Sequence, residues 1–152
     1  MSRAVLFVLI QFVLFGIFAV LLVAFPVGGG LVLPGFLIVI AAFAVIMLGI
    51  LEHMRRNAAL PNVTPTPNQN VGLVETGIYK WIRHPIYTGV ISGVFGAALA
   101  HGHPVPLLMT IVFIVFFGQK ARFEEAMLRT VYPQYAEYMT RTGRFVPGIN
   151  FI

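Results

Sequence analysis

Four apolar runs, parted by turn-forming or polar stretches, set the pattern of this chain. The first extends from about Ala4 to Phe25, twenty-two residues. As a helix it would measure roughly 33 Å, enough to cross a bilayer. Arg3 ahead of an apolar run also fits a secretory leader, but the run is too long for a leader's apolar region. AFPVGGG is moreover a poor cleavage site, so a retained helix is expected. Pro26 and Gly28 to Gly30 predict a tight turn. The second run follows from about Pro34 to Leu51, with Pro34 suited to a first helical turn. A third starts near His84 and reaches Ala100, and a fourth goes from Val105 to Phe117, with HGHPVP turning between them. Both are short for a straight crossing, so this hairpin is expected to tilt, to snorkel at its ends, or to re-enter the bilayer. Gly89, Gly93 and Ala97 recur every four residues, as do Gly96 and Ala100. Such a ridge of small side chains admits a close neighbour.

The polar stretches complete the plan. Between Asn57 and Thr76 the chain is rich in Pro and Asn, a connection of the length that is usually functional or disordered. Beyond the fourth run, Gln119 to Tyr138 predicts a helix leaving the membrane and kinked or broken at Pro133. It is followed by the basic tail TRTGRFVPGI. The 152 residues are 59% hydrophobic and 10% charged, against about 45–50% and 25% in soluble domains. The expected fold is therefore all-α: an integral membrane bundle of about four transmembrane helices, built as one domain. Residues 1–56 would form an N-terminal helix pair, and 57–152 the part that carries chemistry.

All ten Lys and Arg residues lie at the N-terminus, between Arg55 and Arg83, or after Gln119. The turns PVGGGLVLP and HGHPVP hold none, so both termini and the long loop are expected on the cytoplasmic side. The net charge of +5 flanks apolar spans. Anionic lipid headgroups are therefore the fitting partner, and nucleic acid is not. With no cysteine, disulfides, thiolate-held metals and a thiol nucleophile are excluded. His101 and His103 sit in a turn without carboxylates beside them, too few ligands for a metal site.

Candidate chemistry concentrates in two stretches. In GIYKWIRHPIYTGV, Arg83, His84 and Pro85 stand at a helix start, where backbone N–H groups and the helix dipole favour an anion. Tyr79 and Arg83 are four apart and His84 and Tyr87 three apart, so each pair shares a face if helical. An interfacial belt of Tyr79, Lys80, Trp81, Arg83 and Tyr87 explains the same residues without a ligand. In QKARFEEAMLRTVYPQY, Glu124 and Glu125 supply two of the five carboxylates. Glu125 could simply pair with Arg129 four residues on, or one glutamate could accept hydrogen bonds from a ligand's hydroxyl or ammonium groups. No phosphate-binding glycine loop, dinucleotide fingerprint, serine triad or zinc-protease motif is present.

Taken together, LVETGIYKWIRHPIYTG and FEEAMLRTVYPQYAEYMTRTGRFVP resemble the isoprenylcysteine carboxyl methyltransferase family, grouped with the membrane phospholipid methyltransferases. The string Arg83-His84-Pro85-x-Tyr87-x-Gly89 with Glu124-Glu125 carries the resemblance, which covers roughly Asn57 to Pro147. Family members commonly have Gly-Pro-Tyr where this chain has Gly77-Ile78-Tyr79. The resemblance implies methyl transfer from S-adenosylmethionine to a lipophilic acceptor, either a prenyl-cysteine carboxylate or a phospholipid amine. It implies that Arg83 and His84 meet the cofactor's carboxylate and that Leu73 and Val74 contact its adenine or amino-acid part. Glu124 or Glu125 would hold its ribose or ammonium, and Tyr79, Tyr87 and Tyr135 would offer ring faces. Arg83, Glu124 and Glu125 are the residues it places nearest the chemistry. The acceptor's tail is expected to arrive between the glycine-rich third helix and a neighbour. A related NADPH-dependent sterol reductase and a non-enzymatic membrane scaffold are the remaining alternatives.

Overall fold

A computed structural model describes residues 2–66 and 71–149. Among them the chain forms five α-helices and one 3-10 turn, with pairing between extended segments limited to isolated bridges. Helix α1 (Arg3–Ala24) begins at Ser2, whose hydroxyl accepts the Val5 N–H at 3.3 Å. It stops at Phe25, because Pro26 has no N–H to extend the ladder.

Helix α2 (Val32–Asn57) is longer than its apolar run implied. Its last two turns are polar, but Glu52, Arg55 and Arg56 are good helix formers. Arg55 also grips Glu52 through two bonds of 2.9 and 3.0 Å. The two arginines complement the carbonyl end of the helix dipole. Ala58 then turns left-handed at φ 51 and closes the helix by donating to Met54 O.

Helix α3 (Pro85–His101) starts at the expected position, with Pro85 where a missing N–H costs nothing. Its 17 residues measure only roughly 25 Å. The largest departure is helix α4 (Pro104–Val131), one continuous rod of 28 residues. It replaces the short fourth span and the separate helix expected from Gln119. Hydrophobicity falls after Phe117, but no proline follows it until Pro133, and the single Gly118 costs only about 1 kcal/mol within a helix, so the rod continues unbroken. Pro133 does end it, and a short helix α5 (Tyr135–Arg141) follows.

Three of these helices, α1, α2 and α4, are long and apolar enough to cross a membrane, and α3 is a shorter apolar helix. The protein is an integral membrane bundle. Helices gain little from apolar burial in lipid, so close backbone approach must hold them. At the α2–α3 seam a Cβ added to Gly35 would lie 2.5 Å from Gly96 O, and one added to Gly96 would lie 2.8 Å from Gly35 O. The small-residue ridge of α3 is thus filled by α2. On the α2 side it is therefore a closed seam.

Helix α4 packs on α3 and supports α1, which has no comparable contact with α2. Phe18 of α1, Val94 and Ala98 of α3, and Phe113 and Phe117 of α4 form the core between them. At the end carrying the short turns, Gly28 N–H donates to His101 O at 2.9 Å and Leu31 N–H to Leu99 O at 3.2 Å. At the opposite, basic end the C-terminal segment runs beside residues 81–84. Arg83 N–H donates to Gly143 O, His84 N–H to Arg144 O, and Gly143 N–H to Trp81 O. Gly143 has no room for a Cβ, which would strike Val146 O.

Candidate functional site

A cavity of about 440 Å³ opens at the basic end, between the helices and the loop that joins α2 to α3. That volume suits a small organic ligand, for which sites run from roughly 300 to 1,000 Å³. Its roof is strapped down on both sides. Asn57 and Gly72 exchange two hydrogen bonds of 3.1 and 2.9 Å. Arg56 Nε donates to Thr76 Oγ1 at 2.8 Å, and Thr76 in turn donates to Glu52. The strap meets the 3-10 turn Gly77–Lys80 at Gly77, whose φ of 59 is left-handed. A Cβ there would lie 2.8 Å from Glu52 Cδ. The loop's residues 67–70 lie outside the described part.

The chain's elements bring the candidate residues to this cavity from far apart in sequence. Leu73 and Val74 come from the strap, Tyr79 from the 3-10 turn, and Arg83 and His84 from the start of α3. Tyr87 comes from the first turn of α3, Glu124 from α4 and Tyr135 from α5, and all of these line the cavity. Glu125 does not line it. One residue further round α4, it stands behind the wall with its side chain only 4% exposed.

Behind the wall lies a buried ion cluster. Arg83 Nε donates to Glu125 Oε1 at 2.9 Å, and Arg144 Nη2 donates to Glu125 Oε2 at 2.8 Å. The Arg83 guanidinium also donates to Met139 O and Thr142 Oγ1, each at 3.3 Å, and to Thr142 O. These bonds tie the wall of the cavity to α4 and to the C-terminal segment. The alternative pairing of Glu125 with Arg129 does not form: Arg129 points to the Met139 sulfur instead.

His84 joins the cluster to the cavity. Its Nε2 lies 3.3 Å from Glu125 Oε1 without hydrogen-bond geometry, and its Nδ1 lies 3.8 Å from Glu124 Oε2. The imidazole stacks on Tyr87 with ring centroids 5.2 Å apart and planes 2° from parallel. The Tyr87 hydroxyl donates to Glu124 Oε2 at 2.7 Å. The Glu124 carboxylate is thus held by Tyr87, with the His84 ring beside the same oxygen.

Tyr135 is the clearest vacancy in this hydrogen-bond network. It is 1% exposed, lines the cavity, and has no partner for its hydroxyl among the described residues. An orphaned buried hydroxyl costs about 1–3 kcal/mol, a cost a polar ligand would relieve. Burial, then the Glu125 charge, pushes its phenol well above the usual tyrosine range, so it stays a donor. Burial, followed by the charges of Glu124 and Glu52, does the same to Tyr79.

Three further cavity residues were not picked out by the sequence motifs: Gln11 of α1, Lys120 of α4 and Tyr138 of α5. Each carried a signal. Gln11 is a strongly polar residue within the apolar α1, Lys120 stands four before Glu124 on the same helix face, and Tyr138 is one turn from Tyr135. Tyr138 fixes the 3-10 turn by donating to Tyr79 O at 2.7 Å.

An apolar bundle with an ion-braced cavity at one end, lined by aromatic and carboxylate groups, defines a membrane protein with a polar pocket beside its spans. The model of the phospholipid methyltransferase family matches residues 23–135, and the chain belongs to that family. It is 37% identical over 79 residues to the protein-S-isoprenylcysteine O-methyltransferase of Saccharomyces cerevisiae, over 51% of this chain and 33% of that one. To the Arabidopsis thaliana protein-S-isoprenylcysteine O-methyltransferase A it is 33% identical over 81 residues, 52% of this chain and 41% of that one. It is also 30% identical over 83 residues to the cobalt-zinc-cadmium resistance protein CzcN of Cupriavidus metallidurans, 54% of this chain and 38% of that one. The matched stretch thus spans well under half the length of these relatives. The family resemblance carried by the Arg83-His84-Pro85 string and the glutamate pair is borne out.

Proposed function

We infer that this protein transfers a methyl group from S-adenosylmethionine to the carboxylate of a lipophilic acceptor of the isoprenylcysteine kind, on the cytoplasmic side of the membrane. The observation that carries this is the cavity, lined by eight residues expected from the family motifs, one of them Tyr135 with its orphaned hydroxyl. The names of the yeast and plant relatives support the acceptor. The absence of Lys and Arg from both short turns supports the orientation.

The residues suit the cofactor's parts. His84 and the strap backbone at Leu73 and Val74 face its amino-acid or adenine end, and Glu124 accepts from ribose hydroxyls or the ammonium. Tyr135 donates to a polar atom, and the ring faces of Tyr79 and Tyr87 suit adenine or a sulfonium. Arg83 and Glu125 act as positioning residues through the ion cluster. When bound, the cofactor supplies a methyl carbon on a positively charged sulfur, so an acceptor oxygen bonds to that carbon as the carbon–sulfur bond breaks and its electron pair stays on sulfur. An ionised carboxylate gives up no proton in that exchange and needs no general base. The protein's share is alignment and exclusion of water. Because α1 and α2 share no packed face, the acceptor's tail can lie between them while its head enters the cavity.

Methylation of an amine on a phospholipid is the second reading, supported by the family's own description. Membranes containing the protein, given labelled S-adenosylmethionine and a farnesyl thioether ending in acetate, should form a base-labile methyl ester. Label appearing only in base-stable phospholipid product would transfer the assignment to the amine.

A further inference from the structure

Lys120 is the charged residue of the cavity that neither the family motifs nor the ion cluster uses. It is 1% exposed. It stands sixteen residues from Pro104, the outer end of α4, so roughly 24 Å along the rod. Were Pro104 at one face of a hydrocarbon core about 30 Å thick, Lys120 would lie roughly 6 Å short of the other face, where a charged side chain is costly and usually functional. Its Nζ donates to Gln11 Oε1 at 2.6 Å and to Val63 O at 3.2 Å. Both acceptors are neutral, an ammonium has three protons to donate, and no carboxylate of the described residues lies within 4.0 Å of it. The rings of Tyr87 and Phe117 flank it at 5.1 and 5.8 Å.

The order of groups along α4 says which ligand this charge serves. Phe117, Lys120, Glu124 and Leu128 all line the cavity from one helix face. Going from the apolar core toward the basic end, the wall therefore reads aromatic, cation, anion. Tyr87 and His84 flank the anion. The cation shares Tyr87 with it and reaches Val63 O of the loop, but stands on the side of Phe117, which belongs to the apolar core, and of Gln11 on α1. A lipid-borne acceptor entering from the membrane meets Lys120 first. An ammonium headgroup would be repelled there, while a carboxylate would complete the lysine's third hydrogen bond and neutralise its charge.

We propose that Lys120 is the acceptor-selecting residue, binding the carboxylate of an anionic prenyl-type acceptor with Gln11 and Val63 O holding its ammonium in place. This rests on the methyl-transfer function inferred above and adds the residue that selects carboxylate over amine. The test measures binding without turnover. The full protein in lipid nanodiscs is titrated by calorimetry with a farnesyl thioether ending in acetate, with its carboxamide, and separately with S-adenosylhomocysteine. Wild type should bind the acetate roughly ten- to a hundredfold more tightly than the carboxamide, the span expected for one hydrogen bond to a charged group. Lys120→Met should erase that preference, Lys120→Arg should keep it, and S-adenosylhomocysteine affinity should stay within about twofold in each. If Lys120→Met does not fold, Lys120→Gln, which keeps a donor for Gln11 and Val63, takes its place.

Three results overturn the proposal: no preference in wild type, a preference that survives loss of the charge, or a loss of S-adenosylhomocysteine affinity as large as the loss for the acetate. The last would assign the ammonium to the cofactor. Absence of S-adenosylhomocysteine binding in wild type would instead remove the methyl-transfer function. The acetate preference, measured without cofactor, would still decide the role of Lys120.

Discussion

The two ends of this bundle are closed by opposite means. At the end with the short turns, backbone meets backbone: Gly28 and Leu31 donate to the last carbonyls of α3, and a Cβ added to Gly30 would lie 2.5 Å from Ala100 O. That end holds two histidines, His101 and His103, and no Lys, Arg, Asp or Glu. At the basic end the helices separate, and their place is taken by side chains: two arginines, a glutamate and a histidine packed behind one wall of a cavity. Close packing by small residues suits a region whose only task is to hold helices together in lipid. A buried ion cluster is a poor source of stability, but it fixes several chain segments in one geometry, which a binding site needs.

The sharpest way to break the contrast is to remove the carboxylate that holds both arginines. Glu125→Ala leaves Arg83 and Arg144 buried without their anion, which should cost about 3–5 kcal/mol. Thermal unfolding in detergent should show a fall of many degrees, with ligand binding lost as well. A variant that stayed as stable as wild type would mean the cluster is not formed. The packed end should respond through sterics alone. Gly35→Val drives a side chain into the Gly96 carbonyl and the Ala100 methyl, for a loss of about 1–3 kcal/mol from overpacking. Affinity for S-adenosylhomocysteine, measured below the melting point, should change little, because the seam is remote from the cavity. A large affinity loss without a stability loss would undo the division between the two ends.

Smallest and most specific is Tyr135→Phe. Deleting an orphaned hydroxyl should leave stability unchanged or slightly raised, since no protein bond is broken. Affinity for S-adenosylhomocysteine should fall by roughly three- to tenfold, one hydrogen bond of about 0.5–1.5 kcal/mol. If the melting temperature drops and affinity holds, the hydroxyl serves the fold and not a ligand.

How far the sequence disclosed these two ends follows from the range of the interactions involved. The spans and turns were legible because hydrophobicity and Pro or Gly punctuation are local. Pro85 opens α3 and Pro133 ends α4 as expected. The end of α2 was misplaced because Glu52, Arg55 and Arg56 are polar and helical at once. The continuity of α4 was missed because Gly118 and the loss of hydrophobicity at Gln119 resemble a break, though a lone glycine without a proline does not end a helix. In the site, eight of the nine motif residues line the cavity, while Glu125 stands behind its wall. The ties of Arg83 to Thr142 and Met139, 59 and 56 residues away, leave no local trace. Neither does the meeting of Lys120 with Gln11 across 109 residues.

The account turns on the cavity at the basic end being a cofactor site, and calorimetric titration of the folded protein with S-adenosylhomocysteine tests that directly. Saturable one-to-one binding at micromolar or lower concentration is expected. Protein that is folded by circular dichroism yet gives no heat and no thermal shift at millimolar ligand would contradict the account.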